Sequence, residues 1–151
     1  NKSLPLETIG SKEHRALARE AVAKSLVLPK NEDAVLPITQ SARSIYVAGS
    51  AADNVGKQSG AWTVEWQGID GNWLSGATSI LEGIQEAKGK DITVTYSENG
   101  VFEDQSGIAD IGIAVVGEDP YAEGWGDDPL PVLSGEDRSA IGRSSKKTLL
   151  V

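Results

Sequence analysis

The sequence predicts an α/β fold, a three-layer α/β sandwich with a mostly parallel sheet flanked by helices. Apolar residues at helical spacing alternate along the chain with short β-rich runs. One of those runs, 111–116, is apolar throughout, as a strand covered on both faces requires. The stretches that follow the runs at 44–48 and 111–116 are long, glycine-rich and aperiodic, and together they hold all four tryptophans.

The elements follow in order. From Ser11 to Leu26, Leu17, Ala18, Ala21, Val22, Ser25 and Leu26 recur at helical spacing. Ser11 suits an N-cap, Glu13 suits the first turn, and Pro29 stops or bends the segment. Ser44 to Ala48 reads as a short strand closed by Gly49. Ser50 to Gly76 has no regular period, and a loop of that length inside a compact domain is usually functional. Thr78 to Lys88 carries Ile80, Leu81, Ile84 and Ala87 on one helical face. Ile92, Val94 and Tyr96 alternate with polar residues, as in a half-buried strand. A second irregular stretch, 117–133, follows the apolar run; Ser134 and Asp137 then mark a helix over 135–144, and Thr148 to Val151 begins a last strand. Ligands of open parallel sheets sit beyond the carboxyl ends of the strands, so both irregular stretches should open on that edge.

Composition bounds the function. The chain has 151 residues and 15.9 kDa, one domain's worth. With 22 acidic and 14 basic side chains the formal charge is −8, which argues against a nucleic-acid partner. The absence of cysteine excludes a disulfide framework and a thiolate site, and one histidine excludes a site needing two imidazoles. No apolar run approaches the ~20 residues that span a bilayer, and no secretory leader is read at the start. At 39% hydrophobic and 24% charged, the chain can form a packed core. Asn1 in place of an initiator methionine, and an end inside Leu149-Leu150-Val151, give the expectation of a fragment whose sheet is incomplete at its C-terminal end.

Residues 117–128 carry five carboxylates: Glu118, Asp119, Glu123, Asp127 and Asp128. They form either a solvated charged loop or a loop in which one carboxyl group acts as a proton donor. A general acid working near neutral pH needs its pKa raised by apolar cover or a neighbouring anion. Glu123, between Tyr121 and Trp125 and beside glycines, is the best placed. Trp62 and Trp66 are four residues apart, a spacing that puts both indoles on one side of a strand or a helix. They are either core residues or an exposed platform of the kind that packs against sugar rings, and the polar, glycine-rich surroundings favour the platform.

These residues carry a family resemblance. The runs Gly10-Ser11-Lys12-Glu13-His14-Arg15, Leu17-Ala18-Arg19-Glu20-Ala21-Val22 and Lys24-Ser25-Leu26-Val27-Leu28 open it. Val47-Ala48-Gly49-Ser50-Ala51-Ala52-Asp53-Asn54, Trp62-Thr63-Val64-Glu65-Trp66-Gln67-Gly68 and Val116-Gly117-Glu118-Asp119-Pro120-Tyr121-Ala122-Glu123-Gly124-Trp125-Gly126-Asp127 continue it in order. Together they resemble the second, α/β-sandwich domain of glycoside hydrolase family 3, in its β-glucosidase and β-glucan exohydrolase branch. The resemblance implies that residues 1–9 end an interdomain linker and that 10–151 form the sandwich domain. It implies that Glu123 is the general acid/base and that Trp66 clamps the sugar of the +1 subsite, with Trp62, Tyr121 and Trp125 beside the substrate. It further implies a retaining, exo-acting hydrolase of β-glucan oligosaccharides or β-glucosides, secreted or periplasmic, with its nucleophilic aspartate on a preceding (β/α)8 barrel. The fragment alone should then be inactive.

Pro29 stands where the family usually has leucine, and Ala61 replaces a glycine before Trp62. A non-catalytic carbohydrate-binding module is the alternative reading. His14 reads as a helix-surface histidine, and Asp53 and Asn54 as either ligand contacts or turn formers. No spacing matches a calcium loop or a nucleotide-binding glycine fingerprint, so neither metal nor cofactor is expected.

Overall fold

The structure, a computed structural model, describes residues 5–39, 41–102, 109–143 and 148–150, the last three as backbone. The chain divides into two compact units, Asn1–Leu36 and Pro37–Val151.

The first unit is built around helix α1 (Lys12–Ser25). Ser11 caps it as expected, its hydroxyl accepting the His14 backbone N–H at 3.3 Å. The helix ends at Ser25, and Leu26 is already extended, so Pro29 lies beyond the end and does not cause it. The apolar stripe is not core: no residue of α1 is buried, and Leu17 and Val22 are 64% and 59% exposed.

The second unit contains strands β1 (Ser44–Ala48), β2 (Thr93–Tyr96), β3 (Ile111–Ala114) and β4 (Thr148–Leu150) and helices α2 (Val55–Ser59), α3 (Ile80–Ala87) and α4 (Gly135–Arg143). The strands form one parallel sheet in the order β2-β1-β3-β4. In the central pair, every residue of β3 and four of the five in β1 are buried, which is why 111–114 could be apolar without alternation. The edge strand β2 is half-buried and keeps its alternation. Asp110 locks the register of the central pair from below. Its Oδ2 accepts the backbone N–H groups of Arg43 and Ser44 at 2.8 and 3.1 Å, while the Ser44 hydroxyl accepts the Asp110 N–H at 3.1 Å.

This strand order is a doubly wound topology. The chain leaves β1 toward β2, returns across β1 to β3, then moves outward to β4. Right-handed crossovers therefore put α3 and α4 on opposite faces of the sheet, and the direction of winding reverses between β1 and β3. The backbone closes tightly there: Val115 N–H donates to Ala48 O at 2.8 Å and Ala51 N–H to Val115 O at 3.2 Å. Gly49 has φ +101°, and a Cβ there would run into the Val115 carbonyl.

Within the stretch 50–76, read as aperiodic, the structure places a helix, α2. Five residues are too few for a 3.6-residue period to show. Asn54 sets its start, with Oδ1 accepting the Lys57 N–H at 2.9 Å, and Gly60 at φ +72° ends it. Helix α3 begins on a full capping box, Ser79 with Glu82.

Candidate active site

The stretches after β1 and β3 meet at the carboxyl edge of the sheet, above the reversal point. They pack closely at Gly68, whose φ is +88°; a Cβ there would lie 2.6 Å from Pro120 Cβ and 2.8 Å from Gly60 O. Only a residue without a side chain allows the two loops so near.

The tryptophan loop is held by short-range bonds. Trp62 N–H donates to Trp66 O at 3.1 Å and Gly68 N–H to Glu65 O at 3.0 Å. The spacing of four brings the rings together, with centroids 6.3 Å apart and planes tilted by 47°. Neither strand nor helix does this. Trp62 and Val64 both lie in the left-handed region, at φ 59° and 66°, so the loop doubles back on itself between the rings. That conformation is strained for a β-branched valine, and such strain persists where the surrounding structure imposes it. The rings are a platform rather than core: Trp62 is 69% and Trp66 54% exposed.

The acid loop turns at Ala122–Gly126, closed by Gly126 N–H donating to Ala122 O at 2.8 Å, with Gly124 at φ +85°. Glu123 stands on this turn, and the Trp66 indole Nε1–H donates to its Oε2 at 2.7 Å. A charge-assisted bond of this kind favours the ionised form. Accordingly the Glu123 carboxyl is held below its usual value, first by Trp66 and then by its own backbone N–H. Apolar cover from the flanking aromatic residues does not materialise. Trp125 is 78% exposed, and the Tyr121 hydroxyl turns away to donate to Glu118 Oε2 at 2.7 Å. That bond, followed by the Glu118 charge itself, raises the Tyr121 pKa. The structure thus joins Trp62, Trp66 and Glu123, and it leaves Tyr121 and Trp125 on the acid loop beside that group.

Three further side chains at this edge were not named as site residues from sequence. Gln67 bridges to the acid loop, its Oε1 accepting Ala122 N–H at 2.7 Å and its Nε2 donating to Glu123 O at 3.3 Å. Lys57 Nζ lies 2.8 Å from Asp119 Oδ1 and donates to Ser50 Oγ at 3.0 Å. Asp137, only 1% exposed, accepts the Ser50 backbone N–H and hydroxyl, both at 2.9 Å. The helix-start signal at Ser134 and Asp137 is present, since Asp137 N–H donates to Ser134 Oγ at 3.0 Å. The carboxylate itself has the second task of holding the loop after β1. Partners 87 residues apart give no local sequence signal.

Asp53 and Asn54 act as turn formers. Asn54 Oδ1 accepts the N–H groups of Lys57 and Gly71, and Asp53 Oδ1 accepts from Asn72 Nδ2 at 2.9 Å. His14 is exposed on α1. Among the described residues, no group of three or more His, Cys, Asp or Glu is placed to hold a metal ion, and no helix is long and apolar enough to cross a membrane.

The fold and this edge define a doubly wound α/β domain that presents a carboxylate and paired indoles beyond the strand ends, at the reversal point. More particularly, the chain belongs to glycoside hydrolase family 3. The family described as "Glycosyl hydrolase family 3 C-terminal domain" matches residues 26–150. The chain is 32% identical to the lysosomal beta glucosidase of Dictyostelium discoideum, over 85% of its own length and 18% of that protein. It is 32% identical to the periplasmic beta-glucosidase of Salmonella typhimurium, over 72% of its length and 14% of that protein. The crystal structure of the exo-1,3/1,4-beta-glucanase from a Pseudoalteromonas species superposes with a TM-score of 0.75 at 44% identity, covering 88% of this chain and 16% of that one. The chain therefore spans less than a fifth of the length of each of these relatives.

Proposed function

We propose that this chain is the acid/base-bearing domain of a retaining, exo-acting β-glucosidase or β-glucanase. The observation that carries the reading is the Trp66 indole N–H held 2.7 Å from the Glu123 carboxylate, on loops meeting at the edge where parallel sheets bind ligands. A proton donor beside an aromatic face is what cleavage of a glycosidic bond requires. Trp66 and Trp62 form the +1 subsite, with Tyr121 and Trp125 at its margin.

The nucleophile is an aspartate on a (β/α)8 barrel domain that residues 1–9 link to this one. In a retaining mechanism the two carboxyl groups stand about 5–5.5 Å apart. The aspartate attacks the anomeric carbon while Glu123 delivers its proton to the departing oxygen, giving a glycosyl-enzyme. Glu123, now ionised, takes a proton from water as the water attacks that intermediate. In this chain the Glu123 pKa is lowered, which suits the second half-reaction. The first half needs it raised, and an anionic nucleophile at that distance raises it by like-charge repulsion. Substrates are β-glucan oligosaccharides or β-glucosides, and the setting is secreted or periplasmic, in line with relatives named lysosomal and periplasmic.

In the full-length protein, Glu123→Gln should cut turnover of substrates with poor leaving groups by about 10²–10⁴-fold. Activated aryl β-glucosides should lose far less, and azide should rescue what they lose. Equal losses on both classes, without rescue, would refute the assignment. The 151-residue chain alone should hydrolyse neither. Because the Trp62 and Trp66 rings are exposed, a second reading is a non-catalytic carbohydrate-binding module. Affinity of the chain alone for laminari- or cello-oligosaccharides, read by tryptophan fluorescence, would favour it.

A further inference from the structure

We propose that Gln67 is a positioning residue for Glu123, holding the main chain of the acid loop in place through both ends of its side-chain amide. This rests on the reading of Glu123 as the acid/base and adds to it the residue that aims the carboxyl group.

Gln67 meets the acid loop as an adjacent strand would. Its Oε1 accepts Ala122 N–H at 2.7 Å and its Nε2 donates to Glu123 O at 3.3 Å, so one amide holds the first donor and the last acceptor of the dipeptide 122–123. The residue before it, Trp66, holds the Glu123 carboxylate at 2.7 Å. Two consecutive residues of the tryptophan loop thus grip one residue of the acid loop, one by its side chain and one by its backbone. With the backbone held, only the side-chain torsions of Glu123 stay free, and the Trp66 bond selects among them.

The neighbouring residues suit this task. Gly68 allows the loops to close to the range a glutamine side chain spans, since a Cβ there would lie 2.6 Å from Pro120 Cβ. Lys57 ties the near end of the acid loop through Asp119 at 2.8 Å, upstream of the catalytic turn. The turn itself, 122–126, is closed by its own Gly126-to-Ala122 bond at 2.8 Å and contains Gly124 at φ +85°. Gln67 connects the backbone of that turn to the platform, where Trp66 holds only its side chain. Of the side chains of this length, only glutamine carries a donor and a strong acceptor together; ionised glutamate lacks the donor, and methionine has no donor and only a weak sulfur acceptor.

The test uses the full-length protein and three variants. Gln67→Glu keeps the acceptor for Ala122 N–H and sets an oxygen against the Glu123 carbonyl. Gln67→Met keeps the volume and removes both bonds. Glu123→Gln is the reference. Each is assayed for kcat/KM on β-glucosides of graded leaving-group ability, with thermal melting alongside. A misaimed acid costs most where protonation is most needed. Both Gln67 variants should therefore lose about 10²-fold on poor leaving groups and less than about threefold on activated ones, at little change in KM. Melting temperatures should stay within a few degrees, and Gln67→Glu should lose more activity on poor leaving groups than Gln67→Met. Loss of equal size on every substrate, or no loss on any, while Glu123→Gln retains its leaving-group dependence, would overturn the positioning role and leave the acid/base assignment standing. A Glu123→Gln variant with no such dependence would overturn the assignment itself, and the positioning role with it.

Discussion

Asp137 offers the sharpest test of how the carboxyl edge is held together. Its carboxylate is 1% exposed and accepts two bonds from Ser50, from the backbone N–H and the hydroxyl, both at 2.9 Å. Asp137→Ala removes both and leaves the half-buried Ser50 N–H without its partner. Hydrogen bonds to a charged acceptor contribute about 1.5–3 kcal/mol each, and partial access of water to Ser50 recovers some of that. Lys57 keeps Asp119 at 2.8 Å, so no lysine is stranded without a counter-charge. The expected loss is about 2–4 kcal/mol, or a drop in Tm on the order of 5–15 °C for a domain of this size. Asp137→Asn retains one acceptor oxygen and should lose about half as much. Urea unfolding followed by tryptophan fluorescence and by far-UV circular dichroism measures both, provided the slopes match the parent. A loss below about 0.5 kcal/mol for the alanine variant would show that the carboxylate is not what anchors the loop after β1.

Two further predictions concern Asp110 and helix α2. The Asp110 carboxyl is held below its usual value, chiefly by the backbone N–H groups of Arg43 and Ser44. A lowered folded-state pKa adds stability that is complete above the ordinary carboxylate value and lost as pH falls through the lowered one. Asp110→Asn should therefore flatten the acid limb of a plot of urea midpoint against pH, and an unchanged limb would count against the Asp110 bonds. Gly56→Ala separates packing from propensity. Helix propensity alone predicts a gain of about 1 kcal/mol. A Cβ at Gly56 would instead run into the Ile69 carbonyl, so a loss of about 1–3 kcal/mol is expected in the same urea assay.

Much of the fold is legible in local sequence. The strand at 44–48 and the apolar run at 111–116, whose first four residues form β3, follow from composition and length, and the alternation over 92–96 marks a half-buried strand. The caps at Ser11 and Ser134 were readable because a cap and its partner lie within one turn. Helix α2 was not, because a five-residue helix defined by Asn54 and Gly60 carries no period. The stripe on α1 shows the limit of periodicity, which predicts a helix with an apolar face but not that the face is buried.

The site divides along the same line. Glu123 and the tryptophan pair could be named from chemistry and from runs of residues in order, because each is a local pattern. Their mutual placement could not. The Trp66–Glu123 bond joins residues 57 apart, and Gln67 reaches across a similar interval. The strained turn at Trp62 and Val64 sets the angle between rings that spacing alone put on one side. Sequence by itself determined most of the elements and the side chains that carry the chemistry, since the longer helices, the strands and the caps depend on residues within a few positions of one another. The tertiary structure alone decided that two loops close over Gly68 and that Gln67 grips the acid loop. It also decided that Glu123 stands exposed with its carboxyl held below the usual value by the Trp66 bond, because those outcomes depend on strand order and on contacts made only once the sheet has wound.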